Sequence, residues 1–551
     1  MSETDRIPIT VGVVGHLDVI TTEGHRLQIT NFFNDLASMY PNSPVYLFSS
    51  IAEGADRFAA RIFLDLKRSN EELKHRFELI VPTPFNTEEY KKDFDDASKQ
   101  EFDALLKEAK RSFCIGCGDN GTSRPHQYLK AGKFVADSSI ILLALWDGEK
   151  GKKGGTADIV QHKLTGDNDN VAESTFEYDG TVFVMPCNRT KSSNKIASDS
   201  EITLSLNIVL EDSAIKKALE KIEEINSESL IIDQSKFEKS RTNLFNSLEK
   251  LDAPQKSLLN WYSILDVFSL YFRGKDISIS ILLFTIGFFL ITTLEVYSNL
   301  LISNLVLGIV MFFALLATLI YLYSKTANNH KKYLYYRTLA EALRIQFYWN
   351  IAGINKNVSD YILRIHRQDF TWIKYIMSAI YGVTFNNKNI TSESINDLIY
   401  SWVENQANFF RSSVTKMTKQ LGVFNKISNT SFIIGFALLV SIFFFGEYYE
   451  KNNFLNFLLV IIGMLVGLFA LLKGYTKTKG YQQLLNQYEL MTVIYSRAES
   501  KATETKTYNL DQEKKNLYLK ELFFVIGKEA LIENGNWYLI FKEKEPEIKG
   551  I

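Results

Sequence analysis

The sequence has few cysteines, and its positive and negative charges almost cancel. Only Cys114, Cys117 and Cys187 occur among 551 residues, an odd and sparse set that is typical of a reducing cytosol and not of a disulfide framework. The formal net charge is −1, so no global basic field favours nucleic acid as a partner. The first residues, MSETDRIPIT, contain neither a basic n-region nor an apolar h-region, and we therefore expect no cleavable signal peptide.

Four long stretches of the C-terminal half contain no Asp, Glu, Lys, Arg or His. They are Ile277–Leu294, Leu300–Tyr323, Ile427–Phe445 and Phe454–Leu472. Each is close to the roughly 20 residues that a helix needs to cross about 30 Å of hydrocarbon. A single such run is compatible with an apolar core helix, but four runs in two close pairs predict transmembrane hairpins. Ion-coupled transporters place ionisable residues inside the membrane, so runs without charge argue against that class of protein.

Basic residues flank the paired runs, whereas the two short connections carry mainly acidic residues. The connections contain Glu295 in the first hairpin and Glu447, Glu450 and Lys451 in the second. By the positive-inside rule, this distribution predicts a multi-pass protein with both termini in the cytoplasm. The flanking basic residues are Arg273, Lys275, Lys325, Lys331, Lys332, Arg337, Lys416, Lys419, Lys426, Lys473, Lys477 and Lys479.

The two hairpins have the spacing of a duplication. The first and third runs begin about 150 residues apart, and so do the second and fourth. We interpret this as a parallel repeat of a two-span unit, because an even number of crossings restores the orientation each time. Gly463 and Gly467 form a G-x-x-x-G pair that permits close helix approach, either within one bundle or between chains. Four spans leave little room for a water-filled pore, so we expect a homo-oligomer.

In the first ~190 residues, short apolar strands alternate with amphipathic helical stretches. The clearest strands are Ile9–Val14, Val45–Ser49, Phe77–Val81 and Ser139–Trp146. This alternation is typical of a parallel sheet with helices on both faces. The predicted fold class is therefore an α/β Rossmann-like cytosolic domain followed by an all-α membrane region with four transmembrane helices in two hairpins.

The predicted boundaries divide the chain into four parts. An α/β domain covers 1–195 and a charged helical stalk covers 196–255. The two-transmembrane units cover 256–390 and 391–551.

Three clusters of small and polar residues come directly after predicted strands, where open α/β sheets bind ligands. The most explicit is the stretch from Trp146 to Asp158, because paired glycines before a helix let the backbone approach a phosphate and the helix N-terminus offers free N–H groups. Lys150, Lys152 and Lys153 add local cations. A phosphate-bearing ligand is the predicted occupant, and a capped Gly/Lys turn is the alternative. The segment matches neither a Walker loop nor a G-x-G-x-x-G fingerprint.

Glu53 and Asp56, which come after the second predicted strand, suggest contacts with ribose hydroxyl groups, as in dinucleotide sites. The alternative is that Glu53 is an ordinary solvated residue at a helix N-terminus.

Cys114 and Cys117 form a CxxC without a second CxxC or a His pair, so we interpret them as two ordinary thiols and expect no metal site. The candidate ligand-binding residues are Gly15, His16, Ser49, Glu53, Gly54, Asp56, Trp146, Asp147, Gly148, Gly154, Gly155, Thr156 and Asp158.

Four motifs in this order resemble the SLOG superfamily, a Rossmann-like group related to cytokinin-activating phosphoribohydrolases. They are Val13–His16, Ala52–Asp56, Leu145–Gly148 and Gly154–Asp158, and the resemblance covers roughly residues 6–190. It implies binding of a nucleotide or a nucleotide-derived signal at these loops. An ADP-ribose-like molecule and a cyclic nucleotide fit equally well, and no other cofactor is expected.

The phosphoribohydrolase branch of this superfamily carries a catalytic Glu after its paired glycines. In this chain the position falls on Gln161 or on Ile159, depending on which residue of the motif is aligned. The resemblance therefore favours a sensor over an enzyme. A membrane-anchored nucleotide- or NAD-processing hydrolase is the alternative.

The C-terminal half resembles SLATT, the SMODS and SLOG-associating two-transmembrane effector family. The resemblance covers roughly residues 255–551 and rests on the hairpins, the helices after them and the closing Gly527–Trp537. It matches better in the second unit, because the first lacks the Trp-containing tail. The resemblance implies a prokaryotic anti-phage or conflict effector in a bacterial inner membrane. In such a protein a nucleotide second messenger triggers membrane permeabilisation, with the lipid bilayer as the other partner.

Overall fold

The structure is a computed structural model, and its described residues are 6–117, 122–149, 154–166, 182–190, 213–362, 367–387, 392–508 and 511–542. The chain forms two compact units. The α/β unit contains Met1–Phe237, Ser247–Tyr262 and Asn355–Lys388. The helical unit contains Glu238–Asn246, Ser263–Ile354 and Asn389–Ile551.

The α/β unit is built on a parallel sheet of six strands in the order β5-β4-β3-β1-β6-β7. Central strands of such a sheet are buried on both faces, which is why β1, β3 and β6 are almost continuously apolar. A separate antiparallel pair, β2 and β8, joins Val19 to Arg189. The strands are β1 Ile9–Gly15, β2 Val19–Ile20, β3 Val45–Phe48, β4 Phe77–Thr83, β5 Arg111–Cys114, β6 Ile141–Trp146, β7 Val182–Pro186 and β8 Asn188–Arg189.

Helices cover both faces of this sheet, as the alternation of strands and helices predicts. On one face Phe33 and Phe63 pack against Phe77, and on the other Val135 and Ile159 join the apolar core. The helices of this part are α1 Glu23–Met39, α2 Ala55–Ser69, α3 Glu71–Lys74, α4 Thr87–Tyr90, α5 Asp96–Glu108, α6 Arg124–Asp137, α7 Thr156–Thr165, α8 Ser213–Ser229 and α9 Gln234–Leu244.

The α/β unit also contains a segment that the chain supplies from between the two hairpins. Phe385 lies 5.2 Å from Phe113 and 5.0 Å from Phe134, ring centre to ring centre. Arg111 donates hydrogen bonds to the carbonyl groups of Val383 and Phe385. Residues 355–388, which lie inside the predicted unit 256–390, thus complete one apolar face of the sheet.

Among the described residues, the helical unit contains four helices that are long and apolar enough to cross a membrane, as the four apolar runs predict. The first of them, α10, begins in the α/β unit, where Leu258, Leu259 and Trp261 are buried. Its 47 residues measure about 70 Å at a rise of roughly 1.5 Å per residue, more than twice the thickness of the hydrocarbon. The helices from here on are α10 Ala253–Asn299, α11 Asn304–Ala327, α12 Asn329–Ile351, α13 Arg367–Thr384, α14 Ser392–Leu398, α15 Asn405–Lys451, α16 Leu455–Thr478, α17 Tyr481–Thr507 and α18 Gln512–Lys542.

The two hairpins have matching dimensions. Helices α10 and α15 have 47 residues each, although α15 is kinked at Phe445, and helices α11 and α16 have 24 each. A residue with positive φ precedes the helix after each hairpin, Asn328 before α12 and Gly480 before α17. Asn and Gly are the residues that adopt this left-handed conformation most readily. The matching lengths and junctions agree with a repeated two-span unit.

The first and fourth apolar helices pack against each other in antiparallel fashion. A Cβ added to Gly467 would lie 2.8 Å from Cγ2 of Ile291, and one added to Gly463 would lie 2.5 Å from Oε1 of Glu295. The G-x-x-x-G pair is therefore used within one chain. The placement of Glu295 in one connection, and of Glu447, Glu450 and Lys451 in the other, is wrong, because α10 continues to Asn299 and α15 continues to Lys451.

Helix α18 packs on α12, which carries a cluster of buried charged residues. Asn534 donates to the Thr338 carbonyl at 3.0 Å. On α12, Glu341 accepts from Arg337 at 2.6 Å and from Arg344 at 2.5 Å, and the Glu341 side chain is only 6% exposed. The closing helix thus supports the helix after the first hairpin.

The CxxC pair is a disulfide. Cys114 and Cys117 are bonded to each other, with Cα atoms 5.6 Å apart, at the end of β5. The expectation of two ordinary thiols is therefore wrong. Cys187 is a free, buried cysteine.

Candidate functional site

The three predicted clusters meet at the carboxyl ends of the central strands. Gly15 ends β1, and a Cβ there would lie 2.9 Å from the Leu145 carbonyl and would collide with Ala55. Gly54 has φ +79° and touches the backbone of His16 and Leu17. Glycine at these two positions lets the loops after β1, β3 and β6 approach one another closely. The strand order reverses between β1 and β6, and open α/β sheets bind ligands at that point.

His16 and Asp147 face each other across this point. Nε2 of His16 lies 2.9 Å from Oδ1 of Asp147, and both side chains are buried. Arg189 on β8 lies 3.5 Å from the other Asp147 oxygen and donates to Asp18 at 2.8 Å. Burial raises the pKa of Asp147, but the Glu149 N–H, His16 and Arg189 outweigh it and hold the pKa below its ordinary value. Asp147 is therefore an ionised carboxylate at the edge of the sheet.

Two of the predicted ligand residues, Ser49 and Asp56, are buried within the loop after β3. Ser49 Oγ accepts from the Ile51 N–H at 3.0 Å, and Ile51 adopts φ +44°, a rare conformation for a β-branched residue. Burial raises the pKa of Asp56 to about 7, although hydrogen bonds from Ala52, Ser49 and Ser50 lower it. The structure thus places Ser49 and Asp56 in the interior of the loop.

Glu53 and Gly54 line a cavity of about 420 Å³ beside this loop. The Glu53 carboxylate accepts a hydrogen bond from the Ser98 hydroxyl. Arg57 donates to the same hydroxyl at 2.6 Å and to Glu101 at 3.1 Å. The cavity therefore offers cationic donors and carboxylate acceptors side by side. Its lining is Val19, Thr21, Glu53, Gly54, Arg57, Phe58, Arg61, Asp95, Ala97, Ser98 and Glu101.

Sequence reasoning missed Arg57 and Arg61, the two arginines of α2 that line this cavity, and it missed Arg189. Arg57 is 2% exposed and its guanidinium stacks 4.6 Å above the Phe94 ring. The sequence shows an arginine directly after Asp56, but the burial that marks Arg57 as part of the site is visible only in the structure. Arg189 carried no comparable signal, since it reaches Asp147 only through the pairing of β8 with β2.

The glycine loop leads into α7, as predicted. Gly154 has φ +83° and donates its N–H to Asp158 at 2.7 Å. Gly155 is the N-cap and, having no side chain, leaves the first turn of α7 without a side-chain cap. The Asp158 carboxylate thus already accepts one N–H at this turn, and the helix dipole and the N–H groups of α7 that lack a side-chain cap favour negative charge. Lys150, Lys152 and Lys153 lie outside the described residues.

The other predicted residues of this loop shape the turn before it. Trp146 donates from its indole N–H to the Glu149 carbonyl at 3.0 Å, and Gly148 has φ +81°. Thr156, the first residue of α7, is buried. In the part of the chain that the structure describes, no three His, Cys, Asp or Glu side chains group together as metal ligands.

No protein-family model matches the chain, and no curated protein is significantly similar to it. The fold and the site define a Rossmann-like α/β protein that carries four apolar helices of membrane-spanning length.

Proposed function

We propose that this chain is a nucleotide-signal-gated membrane effector of a prokaryotic anti-phage or conflict system. The α/β unit binds a nucleotide-derived ligand, either ADP-ribose-like or a cyclic nucleotide. The helical unit, in a homo-oligomer, then forms a pore or otherwise disrupts a bacterial inner membrane. Membership of the SLOG and SLATT families, with both termini in the cytoplasm, is part of the same proposal.

One observation carries the proposal. A single chain places His16, Asp147, the α7 N-terminus and the Glu53 cavity around the carboxyl ends of its sheet, and the same chain contains four apolar helices. A phosphate fits the uncapped first turn of α7, and hydroxyl groups of a ribose fit the Glu53 carboxylate. A ligand gates the helical unit only if it binds the active state more tightly than the resting state.

The test uses the full chain, because residues 355–388 belong to the α/β unit and a truncated N-terminal domain lacks them. Purified protein in vesicles that contain a trapped dye is exposed to ADP-ribose and to cyclic nucleotides. We expect one of these ligands to raise the thermal stability of the protein and to release the dye.

Gly155→Asp and Gly155→Ser form a matched pair of variants. Asp and Ser are both favourable N-cap residues, so both are expected to preserve α7, but only Asp brings a negative charge to the proposed phosphate position. We expect Gly155→Asp to lose ligand binding and dye release, while Gly155→Ser retains both. Ligand-dependent release that survives in Gly155→Asp would contradict the binding assignment.

The same incubations distinguish the sensor from the hydrolase alternative. Steady conversion of NAD, ADP-ribose or a nucleotide to product, abolished in Glu53→Gln, would favour an enzyme over a sensor. Binding without product is the outcome expected here.

A further inference from the structure

Glu295 lies beside the middle of another membrane helix. Although it comes after the first apolar run in the sequence, it is part of helix α10, which continues to Asn299. Its carboxyl group occupies the space where a Cβ of residue 463 would be, with Oε1 2.5 Å from that position. Gly463 is the central residue of the fourth apolar run, Phe454–Leu472. Tertiary packing thus brings a carboxylate to a depth at which the runs themselves contain no charge.

The register along the two helices supports this placement. Going along α10 towards Glu295, Phe284 lies beside Gly474, Gly287 beside Leu471, and Ile291 beside Gly467. Each step of three or four residues on α10 is matched by the same step backwards on α16, as expected for two antiparallel helices in contact. At the opposite end of this pair, Lys479 donates to Asp276 at 2.8 Å. The contact of Glu295 with Gly463 is therefore one of a continuous series.

The immediate surroundings of Glu295 provide oxygen atoms and an amide. Asn299 donates from Nδ2 to Oε2 and to the backbone carbonyl of Glu295, both at 3.1 Å, so its amide holds one carboxylate oxygen while Oε1 lies towards Gly463. Carboxylate and amide oxygens are the ligands that hard cations prefer. A carboxylate at membrane depth is costly, and acidic residues there usually mark ion pathways.

The second hairpin has an acidic residue at the corresponding place. Glu447 lies as far from the end of α15 as Glu295 lies from the end of α10, but it is exposed in the described structure. It is thus a natural control for Glu295, with the same chemistry and the same position in its hairpin.

We propose that the Glu295 carboxylate, oriented by the Asn299 amide, binds a monovalent cation within the membrane and makes the conducting state selective for cations. The site rests on the packing of α10 against α16. Its role in conduction rests on the proposed function, so the two are tested separately.

The first experiment tests the site without requiring conduction. The full chain in lipid vesicles is treated with a lipid-soluble carbodiimide, which modifies carboxyl groups in the hydrocarbon layer, and modified peptides are identified by mass spectrometry. We expect modification of Glu295, and loss of most of it when choline chloride is replaced by sodium or potassium chloride. Glu447 is expected to show no such protection. Absence of modification at Glu295, or modification that cations do not reduce, would overturn the proposal.

Two glycine variants test the geometry. Gly463→Ala displaces the Glu295 carboxyl group, whereas Gly467→Ala displaces only the hydrocarbon side chain of Ile291. We expect cation protection to be lost in Gly463→Ala and kept in Gly467→Ala. Equal protection in both variants would overturn the site. Glu295→Gln, which preserves the shape of the side chain but has no carboxyl group, should abolish the modification.

The second experiment tests selectivity. The full chain is reconstituted in a planar bilayer with a potassium chloride gradient, and the reversal potential is measured after addition of the ligand found to release dye. We expect a cation-selective potential that shifts towards zero in Glu295→Gln and is unchanged in Glu447→Gln. An unchanged potential in Glu295→Gln would overturn the role in selectivity. A protein that never conducts contradicts the proposed function, while the carbodiimide result still decides the site.

Discussion

The two hairpins have the same dimensions and different surroundings. Each consists of a helix of 47 residues and one of 24, followed by a left-handed residue and a further helix. After the first hairpin the chain supplies residues 355–388 to the α/β unit. After the second it continues into α18, which packs on α12. A repeated backbone shape therefore does not imply a repeated role.

The difference lies in the side chains of the helices after the hairpins. Helix α12 carries Glu341 between two arginines in the interior of the helical unit. The corresponding position of α17, about 150 residues later, is Val493, which is exposed. The helix after the first hairpin thus has a buried carboxylate where the helix after the second hairpin has an exposed valine, and stability measurements can separate the two positions.

The largest effect is expected from Glu341→Ala. Removing the carboxylate that Arg337 and Arg344 share leaves buried positive charge uncompensated, which costs about 3–5 kcal/mol. Val493→Ala, the matched change in the second unit, is expected to stay within about 0.5 kcal/mol because it alters an exposed site. Thermal unfolding in detergent compares the two variants. Equal shifts of the midpoint would show that the cluster is not a special feature of the first unit.

Gly382→Val tests the segment after the first hairpin. A Cβ added to Gly382 would collide with the Ser138 side chain and would lie 3.2 Å from Cζ of Phe48. We therefore expect Gly382→Val to lower the free energy of unfolding by about 1–3 kcal/mol. Limited proteolysis should show faster cleavage of the α/β unit. Gly422→Val in α15 is the control, because nothing lies within 4 Å of it. Unchanged protease resistance in Gly382→Val would contradict the assignment of 355–388 to the α/β unit.

Glu533 on α18 gives a pH dependence to the helix that ends the second two-span unit. Burial and Glu341 raise its pKa to about 7, against the opposing effect of Arg337 and Arg344. The folded state therefore holds a proton that the unfolded chain releases above its ordinary pKa, so stability falls as the pH rises from about 4.5 to about 7. Allowing for partial exposure, we expect a loss of about 2 kcal/mol between these limits. Glu533→Gln should make the midpoint of thermal unfolding less dependent on pH between pH 5 and pH 8. An unchanged pH dependence would show that this carboxyl group does not cause it.

The smallest effect should be the same in both hairpins. Gly274 in α10 and Gly422 in α15 are exposed helix positions with nothing within 4 Å of an added Cβ. Gly274→Ala and Gly422→Ala should each stabilise the protein by about 0.5–1 kcal/mol, because alanine loses less backbone entropy in a helix. Differential scanning calorimetry of the single and double variants checks this, and the two gains should add. A gain in only one hairpin would show that the two helices also differ in the stability of their backbones at these positions.

Much of the candidate site was predictable because it depends on the residues directly after each strand. Glycines and polar residues after β1, β3 and β6 had to lie at one edge of a parallel sheet, and the structure brings His16 to Asp147 there. The inward position of Asp56 and the contact of Arg189 with Asp147 were not predictable. Both depend on how a loop closes and on a strand pairing between distant residues.

The sequence by itself determined the four apolar helices and the parallel α/β sheet, because hydropathy and strand–helix alternation are properties of neighbouring residues. Only the tertiary structure decided that residues 355–388 belong to the α/β unit and that Cys114 bonds to Cys117. It also decided that Glu295 lies beside Gly463. The segment and the glutamate are placed by contacts between residues far apart in the chain, and the cysteines by the local turn after β5. All three depend on three-dimensional geometry that the local pattern of apolar and polar residues does not record.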